Sequence, residues 1–407
     1  MVVNPRRWTT PNMKTGYPPM KGAVAAINGQ TLCFSNHEAM KWFTDNAVNW
    51  VLSNCPNADY MSMWSADKWR TALCRCEKCR TRDLNATDWC LLVHNDIWRK
   101  LKKRGWKGIF GWIAYHGSEE PPQKAELVEN GRDMDMLYAP RPRKASKYGP
   151  FTNDHTISKF YRENLSAWNN YLEKQNYRGI RTVLEYYYDL LLLGRYTEGR
   201  AWLIPTHQNM QAEMRFYFEQ GFDGFSNCDP PTSCVFPDPL NKWLYYRLLW
   251  DVNLDVAAAR HDFFTHYYGP AGEVMEKVRT DVERLMHEPP SLAGVEQLQG
   301  LSVSVETTLE QIGNDELLRK RIGAMSLWVK YCSLCKESQY HVETTEVSDL
   351  GQAAEMAIRQ LLTENKEFLI GNNFITQDDL DIVATNVVDY HIGLHDAMRR
   401  LWDKLTI

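Results

Sequence analysis

Gly179 introduces the run Ile180-Arg181-Thr182-Val183-Leu184-Glu185-Tyr186-Tyr187-Tyr188, IRTVLEYYY. Its β-branched and aromatic residues, opened by a glycine, predict a strand. Strand-like runs lie on either side of it, each separated from the next by a helical pattern. Downstream, a helix around 206–219 stops at Gly221 and leads into FDGFSN at 222–227. Upstream stand DMDMLYA (133–139), KGIFGWIAY (107–115), ADYMSMW (58–64) and TLCFS (31–35). A Tyr- and Trp-rich helix is expected near 154–175. TDWCLLVHNDIWRKLKKRG reads as an amphipathic helix closed by Gly105. After TLCFS, Met40, Phe43, Ala47, Val48 and Val51 recur at helical spacing, with Ser35 or Asn36 able to cap the start. Strands that alternate with helices predict a parallel sheet, either a barrel or a doubly wound sheet. No GxGxxG or GxxxxGK[ST] is present, which weakens the nucleotide-binding version.

From Pro239 the pattern turns helical, through PLNKWLYYRLLW and DVAAARHDFFTHYYG. The expected division is a barrel-like domain over 1–269 and a helical C-terminal domain over 270–407, parting at Gly269-Pro270. Composition narrows the function. A net charge of -4 offers no basic footprint for nucleic acid. Apolar runs such as LEYYYDLLLL are too short and too interrupted to span a bilayer. The start MVVNPRRWTT lacks a signal-peptide layout. A cytosolic chain is expected as written, and an exported one if a segment precedes it.

Aromatic residues make up 12% of the chain, and many sit in polar surroundings. Flat rings beside hydrogen-bonding groups suit sugars, although a large core would need them too. Strand alternation puts Val183, Glu185 and Tyr187 on one face, with Leu184, Tyr186 and Tyr188 facing a helix layer. In a parallel barrel the carboxyl ends of the strands form the active site. Glu185 near such an end, desolvated by aromatics, suits a general acid. The bland alternative is a Glu satisfied by a buried Arg or Tyr hydroxyl. Asp67, after ADYMSMW, is the expected second carboxylate, and a turn or capping role fits it equally well. Glu119 and Glu120 compete for a role but read as a solvated loop. Trp64, Trp112, Tyr115, Tyr186, Tyr187 and Asn227 are the candidate sugar contacts. No HExxH and no Ser/His/Asp arrangement is evident.

Cys74, Cys76 and Cys79 place three thiols in CRCEKC. A tetrahedral metal site needs a fourth; Cys33 and Cys90 are the nearest candidates, and Cys33 is the expected partner because sequential βα units are usually neighbours. A structural zinc site and a reduced thiol cluster both fit. Cys332-x-x-Cys335 reads as core packing.

LCFSNHEA, DYMSMWSADKWRTALCRCEKC, GWIAY, VLEYYYD and GFDGFSN, in this order, resemble the bacterial domain of unknown function associated with glycoside hydrolase family 163. WLYYRLLWDVNLDVAAARHDFFTHYYGPAGEVM resembles the stretch after its last barrel strand, so the resemblance covers roughly residues 15–280. It implies a (β/α)8 TIM-barrel-like domain followed by α-helices, and endo-β-N-acetylglucosaminidase action on N-acetylhexosamine-containing glycans, without a catalytic cofactor. The resemblance also implies early strands ahead of TLCFS, where only residues 1–30 stand, so an incomplete barrel is expected. The last-strand region GFSNCDPP carries no Glu. Two other functions fit the same residues: a non-catalytic glycan-binding protein, or a zinc-stabilised interaction protein.

Overall fold

A computed structural model describes residues 2–3, 33–64, 74, 76–140, 151–186, 207–227, 236–344, 349–375 and 377. The chain forms two compact units. Met1–Lys144, Pro150–Glu185 and Phe216–Asn227 make the first; Ala145–Gly149, Tyr186–Arg215 and Cys228–Ile407 make the second.

The first unit is built on six parallel strands in sequence order. They are β1 (Val2–Val3), β2 (Tyr60–Met63), β3 (Ile109–Ala114), β4 (Met134–Tyr138), β5 (Ile180–Glu185) and β6 (Gly224–Asn227). Every neighbouring pair is parallel. Such pairs need crossovers, which contain α-helices except between β3 and β4, where only the 3₁₀ turns His116–Ser118 and Val128–Gly131 stand. The α-helices are α1 (His37–Asn54), the single turn α2 (Glu77–Arg80), α3 (Ala86–Lys103), α4 (Thr156–Lys174) and α5 (His207–Glu219). The sheet curls as half a barrel does. Its edge strands β1 and β6 do not pair with each other, so the described residues form an open sheet and not a closed eight-stranded barrel.

Local chemistry accounts for the helix ends. Asn36 caps α1 by accepting from the Ala39 N–H. Asn85 and Asp88 form a reciprocal capping box at α3. Gly105, at φ +83°, ends that helix as its sequence predicts. Trp89, Val93, Ile97 and Leu101 on α3, with Tyr161, Leu165, Trp168 and Leu172 on α4, recur at helical spacing and are buried. They pack with Met61, Met63, Phe110, Trp112, Met134, Met136, Tyr138 and Val183 from the strands. This is the helix-facing side of the sheet.

The expected strand at TLCFS is corrected within its described part. Cys33 precedes a turn at Phe34–Ser35, which closes with Asn36 N–H donating to the Cys33 carbonyl at 3.0 Å. Three of that run's side chains and the Asn36 that follows explain the turn: Cys33 joins a thiol cluster, Ser35 bonds to Cys79, Phe34 stacks on Trp89 at 5.2 Å, and Asn36 caps α1. The strand beside β2 on that side is β1.

The second unit is helical. Its core draws on α6 (Leu240–Trp250), α7 (Val256–Tyr268), α8 (Gly272–His287), α9 (Leu292–Gln311), α10 (Glu316–Thr344), α11 (Asp349–Glu364) and α12 (Lys366–Gly371). Cys332 and Cys335 are buried in that core, as read from the sequence. Arg279 lies 4.2 Å from the Trp328 ring centroid and donates from Nε to Glu283 at 2.8 Å, and Glu283 also pairs with Arg260. A buried charge needs such partners.

Candidate functional site

Two features of the first unit concentrate chemistry. One is a thiol cluster; the other is the row of residues at the carboxyl ends of the strands.

Cys33, Cys74, Cys76 and Cys79 bring their sulfurs within 4.8 Å of one another. Cys33 Sγ lies 3.6 Å from Cys76 Sγ and 3.7 Å from Cys79 Sγ, too far for a disulfide. The four thiols are close enough to bind one metal ion such as zinc. Two local structures deliver them. The turn before α1 presents Cys33, and Cys76 stands at the N-cap of α2, one turn before Cys79. Burial pushes the Cys33 thiol up to about 12, reinforced by its thiol neighbours. The Cys79 backbone N–H pulls the Cys76 thiol down to about 7. Burial also raises Cys74. Ser35 Oγ sits 3.2 Å from Cys79 Sγ and completes the surroundings.

The strand ends divide between the two faces of the sheet. Val183 lies in the helix-facing core, so Glu185, two residues on, shares that side. Tyr217 of α5, part of the same core, donates its hydroxyl to Glu185 Oε1 at 2.7 Å. Glu185 is 1% exposed. The expected facing is therefore reversed while the parity stands: Glu185 faces the helix layer, and Leu184 faces away from it. Strand alternation gives which residues share a face, but not which of the two faces the helices cover. Asn227 pairs with Glu185 in register and is half-buried.

Trp112, another expected sugar contact, sits in the helix-facing core. It is 1% exposed and packs on Trp168 at 5.2 Å. Trp64 and Tyr115 lie on the other face, in the rows Tyr60–Ser62–Trp64 and Gly111–Ile113–Tyr115. Their ring centroids are 6.5 Å apart, and Trp64 Nε1 donates to Ser62 Oγ at 2.8 Å. Tyr186 is buried just after β5. Asp67 and Tyr187 lie outside the described residues.

Two carboxylates emerge that the sequence reading passed over or misjudged. Glu119, expected in a solvated loop, is buried and accepts from the Tyr161 hydroxyl at 3.1 Å. Its carbonyl accepts from Asn164 Nδ2 and Trp168 Nε1. Glu120 is exposed as expected. Asp135, near the start of β4, accepts on Oδ2 from Tyr60 at 2.7 Å and Thr182 at 2.8 Å. Its buried Oδ1 has no hydrogen-bond partner among the described residues. Burial raises its carboxyl to about 6, against the lowering effect of the two hydroxyls. The signal was present in the sequence: an acidic residue inside a strand run is as unusual in DMDMLYA as in IRTVLEYYY. Asp135 sits toward the amino ends of the strands, the end that serves stability in parallel barrels.

No helix among the described residues is long and apolar enough to cross a membrane. A protein-family model, described as a domain of unknown function, matches residues 4–279. No curated protein and no solved structure matches the chain.

Proposed function

The chain belongs to the DUF4838 family, and we propose that it is a glycoside hydrolase domain of the (β/α)8 class, acting on N-acetylhexosamine-containing glycans. One observation carries this reading. Trp64 and Tyr115 stand at the carboxyl ends of adjacent parallel strands, on the face turned from the helices, with ring centroids 6.5 Å apart. That is where parallel barrels assemble their sites, and paired aromatic faces with polar edges suit the C–H faces of sugar rings. Hydrolysis would draw on carboxylates, with Glu185 as acid and Asp67 as partner, or with the substrate's acetamido group as nucleophile. It needs no cofactor, and a metal at the thiols would be structural.

A second reading, glycan binding without hydrolysis, is favoured by the side on which Glu185 lies. A proton donor must reach the leaving-group oxygen, and Glu185 is held on the helix face by Tyr217.

Incubating the protein with an N-glycan and measuring both released reducing ends and affinity separates the two. Hydrolysis predicts turnover that falls roughly 100- to 10,000-fold in Glu185→Gln while affinity survives. Binding alone predicts affinity without turnover in the unaltered protein. Absence of both would overturn the two readings together.

A further inference from the structure

The four-thiol cluster supports an assignment of both metal and role. We infer that Cys33, Cys74, Cys76 and Cys79 hold a single zinc ion that clamps the turn before α1 to the loop after β2. The inference builds on the structural-metal part of the reading above and is independent of glycan chemistry.

Geometry selects one ion. Zinc–thiolate bonds near 2.3 Å place tetrahedral sulfurs about 3.8 Å apart. The two sulfur separations from Cys33 are 3.6 and 3.7 Å, and all four sulfurs lie within 4.8 Å. Separations close to the tetrahedral value suit four sulfurs gathering on one centre and are too tight for thiols spread over a multi-iron cluster. Four thiolates also close the coordination shell, which is the mark of a structural site and leaves no position for substrate. Among divalent ions that take a tetrahedral sulfur set, zinc binds more tightly than ferrous iron.

Cys33, Cys74 and Cys79 are buried at the margin of the sheet's helix-facing core, and a polar group meets the thiols there. Ser35 Oγ at 3.2 Å from Cys79 can donate to its thiolate, as an outer-shell group does. Cys76 and Cys79 are joined by a turn in which the N–H groups of Cys79 and Arg80 both donate to the Cys76 carbonyl, so two ligands are presented by one backbone unit. Cys33 comes from a segment 43 residues away from Cys76. An ion bridging the two segments fixes Asn36 at the start of α1 and Phe34 against Trp89 of α3. Binding energy of that kind is folding energy for the segments it joins.

The test uses the full chain, purified reduced and with zinc supplied. Elemental analysis should find one zinc per chain, and mercurial titration of the thiols should release it. Cobalt substitution should give the absorption of a tetrahedral thiolate site. Cys33→Ser and Cys79→Ser should each lower zinc content at least tenfold, whereas Cys55→Ser should leave it at one. Hydrogen exchange on the unaltered chain, before and after zinc removal, should show lost protection at Met40, Cys79 and Arg80. Iron in place of zinc would overturn the metal assignment while leaving a structural metal. No bound metal after reduction and zinc supply, or a Cys33–Cys76 disulfide in the reduced protein, would overturn the site itself. Zinc bound without any change in exchange would overturn the clamp.

Discussion

Tyr60 on β2 reaches over Gly111 of β3 to donate its hydroxyl to Asp135 Oδ2 on β4, at 2.7 Å. Thr182 on β5 donates to the same oxygen at 2.8 Å. One carboxylate oxygen on β4 thus ties β2 and β5 to it, across β3, on the face turned from the helices. The other oxygen, Oδ1, is buried and has no hydrogen-bond partner among the described residues. Burial raises the carboxyl to about 6, although the two hydroxyls pull the other way.

Asp135 makes stability depend on pH. Its folded value of about 6 lies above the ordinary 3.8, so the folded state binds the proton more tightly than the unfolded chain. The stabilisation is fully present below pH 3.8 and is lost as pH rises through about 6. At neutral pH the ionised group costs up to about 3 kcal/mol relative to a neutral one. Asp135→Asn should therefore gain stability relative to the unaltered protein as pH rises from 4 to 7, read by denaturant melts across that range. A difference independent of pH would contradict the raised value.

Gly111 leaves the path that Tyr60 uses. A Cβ there would lie 2.6 Å from the Tyr60 hydroxyl and 3.2 Å from Ser62 Oγ. Gly111→Ala should cost about 1–3 kcal/mol through overpacking. Adding Tyr60→Phe should restore part of that loss, because the clashing oxygen is gone. A double-mutant cycle measures the coupling, and strictly additive effects would show that the two residues do not meet.

Asp88 bears more backbone than any cap needs. Its Oδ2 accepts from Asn85 N–H, and its Oδ1 accepts from the N–H groups of Lys124 and Ala125 at 2.8 and 2.7 Å. The residue is fully buried. Asp88→Ala leaves those donors without their acceptor and should cost about 3 kcal/mol or more. Thermal unfolding of the pair, with Asp88→Asn recovering part of the loss, checks it.

Tyr217 should matter to stability through Glu185. Tyr217→Phe removes one donor from a buried carboxyl and should destabilise by about 1–3 kcal/mol. Equilibrium urea unfolding reads this directly, and an unchanged midpoint would show the bond to be dispensable.

Glycan affinity should respond to the aromatic pair and not to the core tryptophan. Trp64→Phe should weaken binding several-fold by shrinking the half-buried ring. Trp112→Phe should act on stability, because Trp112 packs against Trp168. Calorimetry with one N-acetylhexosamine glycan distinguishes the two. Equal losses of affinity would count against the proposed platform.

Local signals carried most of the architecture. Strand runs bounded by glycine and helical repeats read through Gly105 anticipated β2 to β6 and the helices between them, since period and capping are properties of short segments. The thiol cluster was also legible, because three cysteines are adjacent in sequence and Cys33 precedes the next βα unit. Other features required the folded chain. TLCFS has strand composition, yet its cysteine and serine and the following Asn36 are engaged in thiol contacts and a helix cap, and these long-range and capping interactions outweigh local propensity. The parity of Glu185 was readable, but not its direction: period two pairs residues on a face, and only the helices that pack there make that face the interior. Asp135 likewise looked like one polar residue in a strand until Tyr60 and Thr182, distant in sequence, met on its carboxylate. Sequence determines what a segment can do alone; a carboxylate's partners, burial and proton affinity arise from neighbours brought together only by folding.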